Sequence, residues 1–158
     1  MSKRAGENHP GYRALMELLR TADTLWDVSR VFFGRWDLSP SQFNALNLLR
    51  LSPDGLSQTD LSRQLIMHRS NVTGLVDRLE QRGLVARREV AADRRAYSVV
   101  LTTAGARLLG EILPRYYDGA AQVWRRLSAR RAAELIADLR EVAQNAERIV
   151  AGPPQGRE

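Results

Sequence analysis

The stretch VAADRRAYSVVLTTAG, residues 90–105, decides how this chain folds. A charged, arginine-bearing turn, Asp93-Arg94-Arg95, runs into Val99-Val100-Leu101-Thr102-Thr103, a segment rich in β-branched residues. Such side chains are stiff at χ1 and fit an extended, half-buried backbone better than a helix. Two short strands are therefore expected, over residues 84–89 and 96–101, with the charged turn at their tip. Thr102 or Thr103 then has the hydroxyl needed to cap a following helix.

Upstream of this ribbon the spacing predicts a helix over residues 70–82. Val72, Leu75, Val76 and Leu79 fall at i, i+3, i+4 and i+7, one apolar stripe. Its other side carries Ser70, Asn71, Thr73, Gly74, Asp77, Arg78 and Gln81, and Gly83 provides a stop. A shorter helix, residues 58–65, opens with Ser57 as cap and Asp60 at a position that suits the positive helix end. A four-residue interval, 66–69, separates the two. Before them, Ser39 and Pro40 form a helix start. Phe43, Leu46 and Leu49 give that helix its apolar side, and it ends near Pro53-Asp54-Gly55.

Both ends of the chain read as long helices. Residues 11–33 place Tyr12, Leu15, Met16, Leu19, Leu25, Trp26 and Phe33 mostly at helical spacing, ahead of Gly34. Residues 104–126 form another helix with Pro114 as an expected kink. Ser128 caps a last one over residues 129–150. There Ala132, Leu135, Leu139, Val142, Ala146 and Ile149 alternate steps of three and four, the seam of a helix that buries against other helices. Intrachain packing on the first helix would satisfy the seam; a bundle shared with a second copy is the expected solution. Residues 1–10 read as a flexible arm and residues 152–158 as a frayed tail.

Helix, tight connection, helix and two-stranded ribbon make a winged helix-turn-helix. The fold class expected is thus mainly α with a small β wing. The expected division is an N-terminal arm and dimerisation helix (residues 1–37), a DNA-binding lobe (38–101), and a linking helix with a C-terminal dimerisation helix (102–158). Charge agrees with a polyanionic partner: the 158 residues carry a net +6, and residues 55–101 hold 8 Lys+Arg against 5 Asp+Glu, the most basic segment. Arginine outnumbers lysine, with Lys3 the sole lysine, and codon bias is the competing explanation for the arginines. There is no cysteine, which excludes disulfides, thiol catalysis, thiol redox sensing and thiolate metal sites. Only His9 and His68 offer imidazole, far apart, so no metal site and no cofactor is expected. Gly-rich phosphate loops and nucleophile-elbow motifs are absent, and no catalytic residue is assigned. No apolar run approaches a membrane span, and the start of the chain lacks a signal-peptide core; a cytoplasmic protein with no membrane partner is the expectation. A winged-helix protein-interaction module without DNA binding is the alternative, and the wing arginines argue against it.

The segments GLSQTDLSRQL, RSNVTGLVDRLEQRGLVARR and DRRAYSVVLTTAG, with Phe43 to Leu49 before them, resemble the MarR family of bacterial transcription regulators. The match covers residues 38–105 with specific motifs and extends more loosely to both ends. The resemblance implies a homodimer with intertwined terminal helices and two lobes on palindromic double-stranded DNA. It puts the family's recognition helix on residues 70–82 and its Asp-x-Arg wing motif on Asp93 and Arg95. The DNA-contacting set it implies is Arg69, Ser70, Asn71, Thr73, Gly74 and Arg78 from the helix. From the wing come Arg95 in the minor groove, Asp93 holding it, and Arg94 on the backbone. Many members release DNA when a small aromatic or anionic effector enters a cleft. Trp26, Phe33 and Phe43 are candidates to line it, with Arg13 or Arg20 nearby; core packing is the competing role for each aromatic. The chain departs from the pattern at Ile66, where many such turns have glycine. It departs again at His68, where many have a capping Ser or Thr; His68 is either a phosphate donor or a plain surface or capping histidine.

Overall fold

The structure, a computed structural model, describes residues 9–65, 69–90 and 93–151, the side chains at 69, 70, 90, 93–96 and 151 excepted. The departures at Ile66 and His68 lie outside the described residues. Among the described residues the elements follow in the order α1 (Pro10–Gly34), α2 (Pro40–Arg50), β1 (Leu56–Ser57), α3 (Gln58–Leu65), α4 (Arg69–Gln81), β2 (Val85–Val90), β3 (Asp93–Leu101), α5 (Thr103–Trp124) and α6 (Ala129–Ala151). The chain divides into two compact units, Met1–Glu111 and Ile112–Glu158.

Local chemistry sets the helix starts. His9 Nδ1 accepts from the Gly11 N–H at 3.1 Å and caps α1. At α2 a full capping box forms: Ser39 Oγ accepts from the Gln42 N–H, and Gln42 Oε1 accepts from the Ser39 N–H. Ser57 Oγ accepts from the Asp60 N–H and donates to its carboxylate, opening α3. Thr102 Oγ1 accepts from the Gly105 N–H at the head of α5, and Ser128 Oγ from the Arg131 N–H at the head of α6. Gly83, at φ 67, ends α4 by entering the left-handed region that disfavours a side chain.

The core of the first unit gathers one face of each element. Phe43, Leu46 and Leu49 of α2, Leu61 of α3, and Val72, Leu75, Val76 and Leu79 of α4 are all buried. Phe33 of α1, Val85, Val99 and Val100 of the sheet and Leu109 of α5 are buried with them.

The sheet differs from the expected strand pair in two ways. It has three antiparallel strands in the order β1-β3-β2, because Leu56 and Ser57 pair with Val99 and Ser98. Two residues are too short a run to give a sequence period. Their pairing depends on Gly55, at φ 84, where an added Cβ would lie 2.6 Å from the Val99 carbonyl oxygen. Second, Asp93, Arg94 and Arg95 belong to β3 rather than to a turn: Val90 pairs directly with Asp93, across a register shift at Glu89/Val90. The register passes from Glu89 opposite Tyr97 to Val90 opposite Asp93, so residues 94–96 of β3 fall in the irregularity between these two pairs.

In α6 the seam residues Leu139, Val142 and Ile149 are exposed within this single chain. So are Tyr12, Leu15, Leu19 and Leu25 of α1. Among the described residues no helix is long and apolar enough to cross a membrane.

Candidate nucleic-acid interface

Helix α4 has two faces, and the burial of one fixes what the other presents. With Val72, Leu75, Val76 and Leu79 anchored in the core, Asn71, Thr73 and Arg78 are exposed on the opposite side and Gly74 is partly so. A Cβ at Gly74 would meet only Arg78 Nη1, at 3.5 Å, an ordinary contact. Arg69 and Ser70 are on the first turn of α4, and Asp93, Arg94 and Arg95 on the outer end of β3; their side chains lie outside those described.

The structure adds residues that periodicity did not single out. Thr73 Oγ1 donates to Gln58 Oε1 at 3.1 Å, tying α4 to the start of α3. Arg87, on β2, reaches back to α4. One guanidinium nitrogen bonds Asp77 Oδ1 at 2.5 Å, the other bonds Glu80 Oε2, and the Arg87 backbone N–H donates to Glu80 Oε1 at 3.0 Å. The Asp77 hydrogen bond, helped by the charge of Glu80, holds this guanidinium above the ordinary arginine range against the opposing effect of burial. Just past α4, Arg82 donates to the carbonyl oxygens of Asp37 and, at 3.0 Å, Trp36, so the end of α4 is pinned to the turn between α1 and α2. Asp77, read from the sequence as part of a free outer face, is engaged with its own protein.

That α1–α2 turn borders a cleft of about 380 Å³ whose walls include Trp26, Arg30, Gly34, Asp37, Ser39 and Gln42. Of the aromatic residues considered for a ligand cleft, Trp26 is there, half-exposed. Phe33 and Phe43 are instead buried in the interior and stacked on each other, ring centroids 4.1 Å apart and planes 20° apart. They meet because the turn folds α2 back on the end of α1. The cation at the cleft is Arg30; Arg13 and Arg20 line a separate groove along α1 with Tyr12, Met16 and Glu17. Among the described residues no group of three or more His, Asp or Glu is placed to hold a metal ion.

A buried-stripe helix followed at once by an antiparallel ribbon, on a three-helix core, defines a winged helix-turn-helix protein. Residues 36–96 match the model of the MarR family, and over that segment the chain is similar to MarR-family proteins. The HTH-type transcriptional repressor YetL of Bacillus subtilis (strain 168) is 32% identical over 108 residues, 63% of this chain and 65% of YetL. The chain thus matches less than two thirds of that relative's length. Among solved structures, S. aureus MepR in complex with DNA aligns at a TM-score of 0.74 with 23% identity, covering 82% of this chain and 96% of that one. Bordetella bronchiseptica BpsR, whose DNA binding 6-hydroxynicotinic acid regulates, aligns at 0.74 with 23% identity, covering 87% and 94%. At these identities the two structures establish the likeness of fold.

Proposed function

We propose that this protein is a dimeric, sequence-specific DNA-binding regulator of transcription. The observation that carries the reading is the exposed row Asn71, Thr73 and Arg78 on a helix whose other side is fully buried, with the wing directly after it. Small hydrogen-bonding groups near the start of such a helix suit base edges in the major groove, and Arg78 further along suits base or phosphate. Asp93, Arg94 and Arg95 are read as the wing's contact with the flanking minor groove, whose narrow stretches attract arginine; their position on the outer end of β3 supports this. MepR, solved in complex with DNA, supports DNA binding as the role of this fold. The uncovered apolar residues of α1 and α6 support a dimer, since Leu15, Leu19, Leu139 and Val142 leave more apolar surface in water than a lone chain needs to. A small aromatic or anionic effector fits the cleft beside Trp26 and Arg30, one offering a ring face and the other a cation, and BpsR supports that class of ligand.

Selection of bound DNA from a random pool tests the reading. The expected product is a palindrome whose half-sites lie about one helical turn, roughly 10–10.5 bp, apart. No enrichment, or a site without symmetry, overturns it.

Two variants separate reading from folding. Gly74→Ala is expected to raise thermal stability by about 0.8–1 kcal/mol, because the new methyl meets no obstacle and alanine favours helix. The same methyl stands between the α4 backbone and DNA, so affinity for the selected site is expected to fall. A variant that is stabler and binds as well as wild type would show that DNA does not approach this turn. Arg95→Ala is expected to weaken binding to selected and random DNA alike and to reduce the salt slope by about one phosphate equivalent per subunit. Asp93→Ala is expected to give part of that loss although it removes a negative charge; tighter binding would refute its orienting role.

A further inference from the structure

We propose that Arg87 is the positioning residue of the DNA-reading surface: it locks α4 to the wing strand β2 and so sets the angle between the Asn71–Thr73–Arg78 row and the wing. The inference rests on the DNA-binding reading above and assigns a role to a cation that touches no DNA.

Asp77 and Glu80 lie one turn apart on α4, where two like charges repel. One guanidinium answers both. Its two terminal nitrogens are divided between the carboxylates, Nη2 on Asp77 at 2.5 Å and Nη1 on Glu80. The side chain is 24% exposed, so the pairs are partly shielded from water and from salt. A planar fork spans two acceptors at fixed angles; a lysine ammonium is a single point of charge and does not. The backbone bond from the Arg87 N–H to Glu80 adds a third attachment that is independent of the side chain at 87. Glu80 therefore stays tethered in any variant of Arg87, whereas the link to Asp77 depends wholly on the guanidinium.

Placement explains why this matters. Asp77 follows Thr73 by one turn and precedes Arg78, so the clamp grips α4 beside the residues that face outward. Arg87 pairs with Val99 in the ribbon, near the sheet's centre, and the ribbon runs outward from there to Asp93 and Arg95. Helix and wing are thus held at one rigid junction. Its charge is also spent inside the protein: with two carboxylates on one cation the cluster carries net negative charge and offers nothing to a phosphate.

The test measures affinity for the selected site and for random DNA across a salt series, with wild type, Arg87→Ala, Arg87→Lys, Asp77→Asn and the Arg87→Ala/Asp77→Asn double variant. Circular dichroism melts confirm that each is folded. Arg87→Ala is expected to lose about tenfold on the selected site, to change little on random DNA, and to keep the wild-type salt slope. Arg87→Lys is expected to fall between. Asp77→Asn is expected to weaken the selected site although it removes a negative charge. The double variant is expected to lose no more than Arg87→Ala alone, since both break one link. A slope reduced by about one phosphate per subunit would make Arg87 a DNA contact and overturn the proposal. Tighter specific binding by Asp77→Asn, or additive losses in the double variant, would overturn it as well. Should Arg87→Ala fail to fold, the Lys and Asn variants decide by the same signs. Failure of wild type to bind any selected site would instead remove the DNA-binding reading, and this role with it.

Discussion

Phe43→Ala is expected to destabilise the protein by about 3–5 kcal/mol in denaturant unfolding at fixed protein concentration. Phe43 is 1% exposed, and its ring stacks on Phe33, itself 2% exposed. Phe33 in turn meets Phe32 edge-on at 5.1 Å. Truncation removes the whole buried ring from the junction of α1 and α2 and leaves a cavity beside Phe33. A stacked pair adds to the burial term, so the loss belongs toward the upper part of that range. The folded fraction is expected to bind DNA as wild type does. A loss below about 1 kcal/mol, combined with altered response to a ligand, would return Phe43 to the lining of a binding cleft and take it out of the core.

A methyl group at Gly105 is expected to have an effect of about 3 kcal/mol or more, the upper end of what overpacking costs. An added Cβ would lie 2.2 Å from the Leu84 carbonyl oxygen and 2.7 Å from Leu101 Cδ1. The side chain of Leu101 can turn aside. The Leu84 carbonyl cannot, because it accepts from the Thr102 N–H at 3.1 Å and belongs to the corner where α4 ends and β2 begins. Thr102 fastens the same corner through its hydroxyl, which donates to the Gly83 carbonyl at 2.7 Å while accepting from the Gly105 N–H. Alanine at 105 has to part the head of α5 from the corner where α4 meets β2. Both stability and specific DNA affinity are therefore expected to fall in Gly105→Ala, measured by thermal melts and by titration of the selected site. The contrast with Gly74→Ala, expected to be stabilising, makes the pair a check on the close approach itself: equal effects at the two positions would mean that helical propensity, not contact, governs Gly105.

Features encoded within a few residues were readable from the chain. The stripe Val72, Leu75, Val76 and Leu79 is buried as its spacing requires, since helical period alone puts those side chains on one face. Ser39, Ser57, Thr102 and Ser128 cap the helices that follow them because a hydroxyl reaches an N–H only three residues ahead. Gly83 ends α4 for an equally local reason. The outward placement of Asn71, Thr73 and Arg78 then follows without further information.

Contacts between distant residues were decided only by packing. Leu56 and Ser57 form a strand because β3 is there to receive them, far along the chain at Val99 and Ser98. Asp93 joins β3 because Val90 is there to pair with it across a register shift, although the charge of Asp93–Arg95 reads as a turn. Phe33 and Phe43 were open between cleft and core, and the fold of one turn settled them in the core. Arg82 on the Trp36 and Asp37 carbonyls spans more than forty positions. Arg87 was one arginine among many, and nothing in its neighbours marks it. Its partners are ten and seven residues back, on an element of different period, and only the angle at which β2 leaves α4 brings Asp77 and Glu80 within reach of one guanidinium. A side chain's face is a property of its own element and is written in the period; its partner depends on how two elements cross, which the burial of every other face in the core determines together.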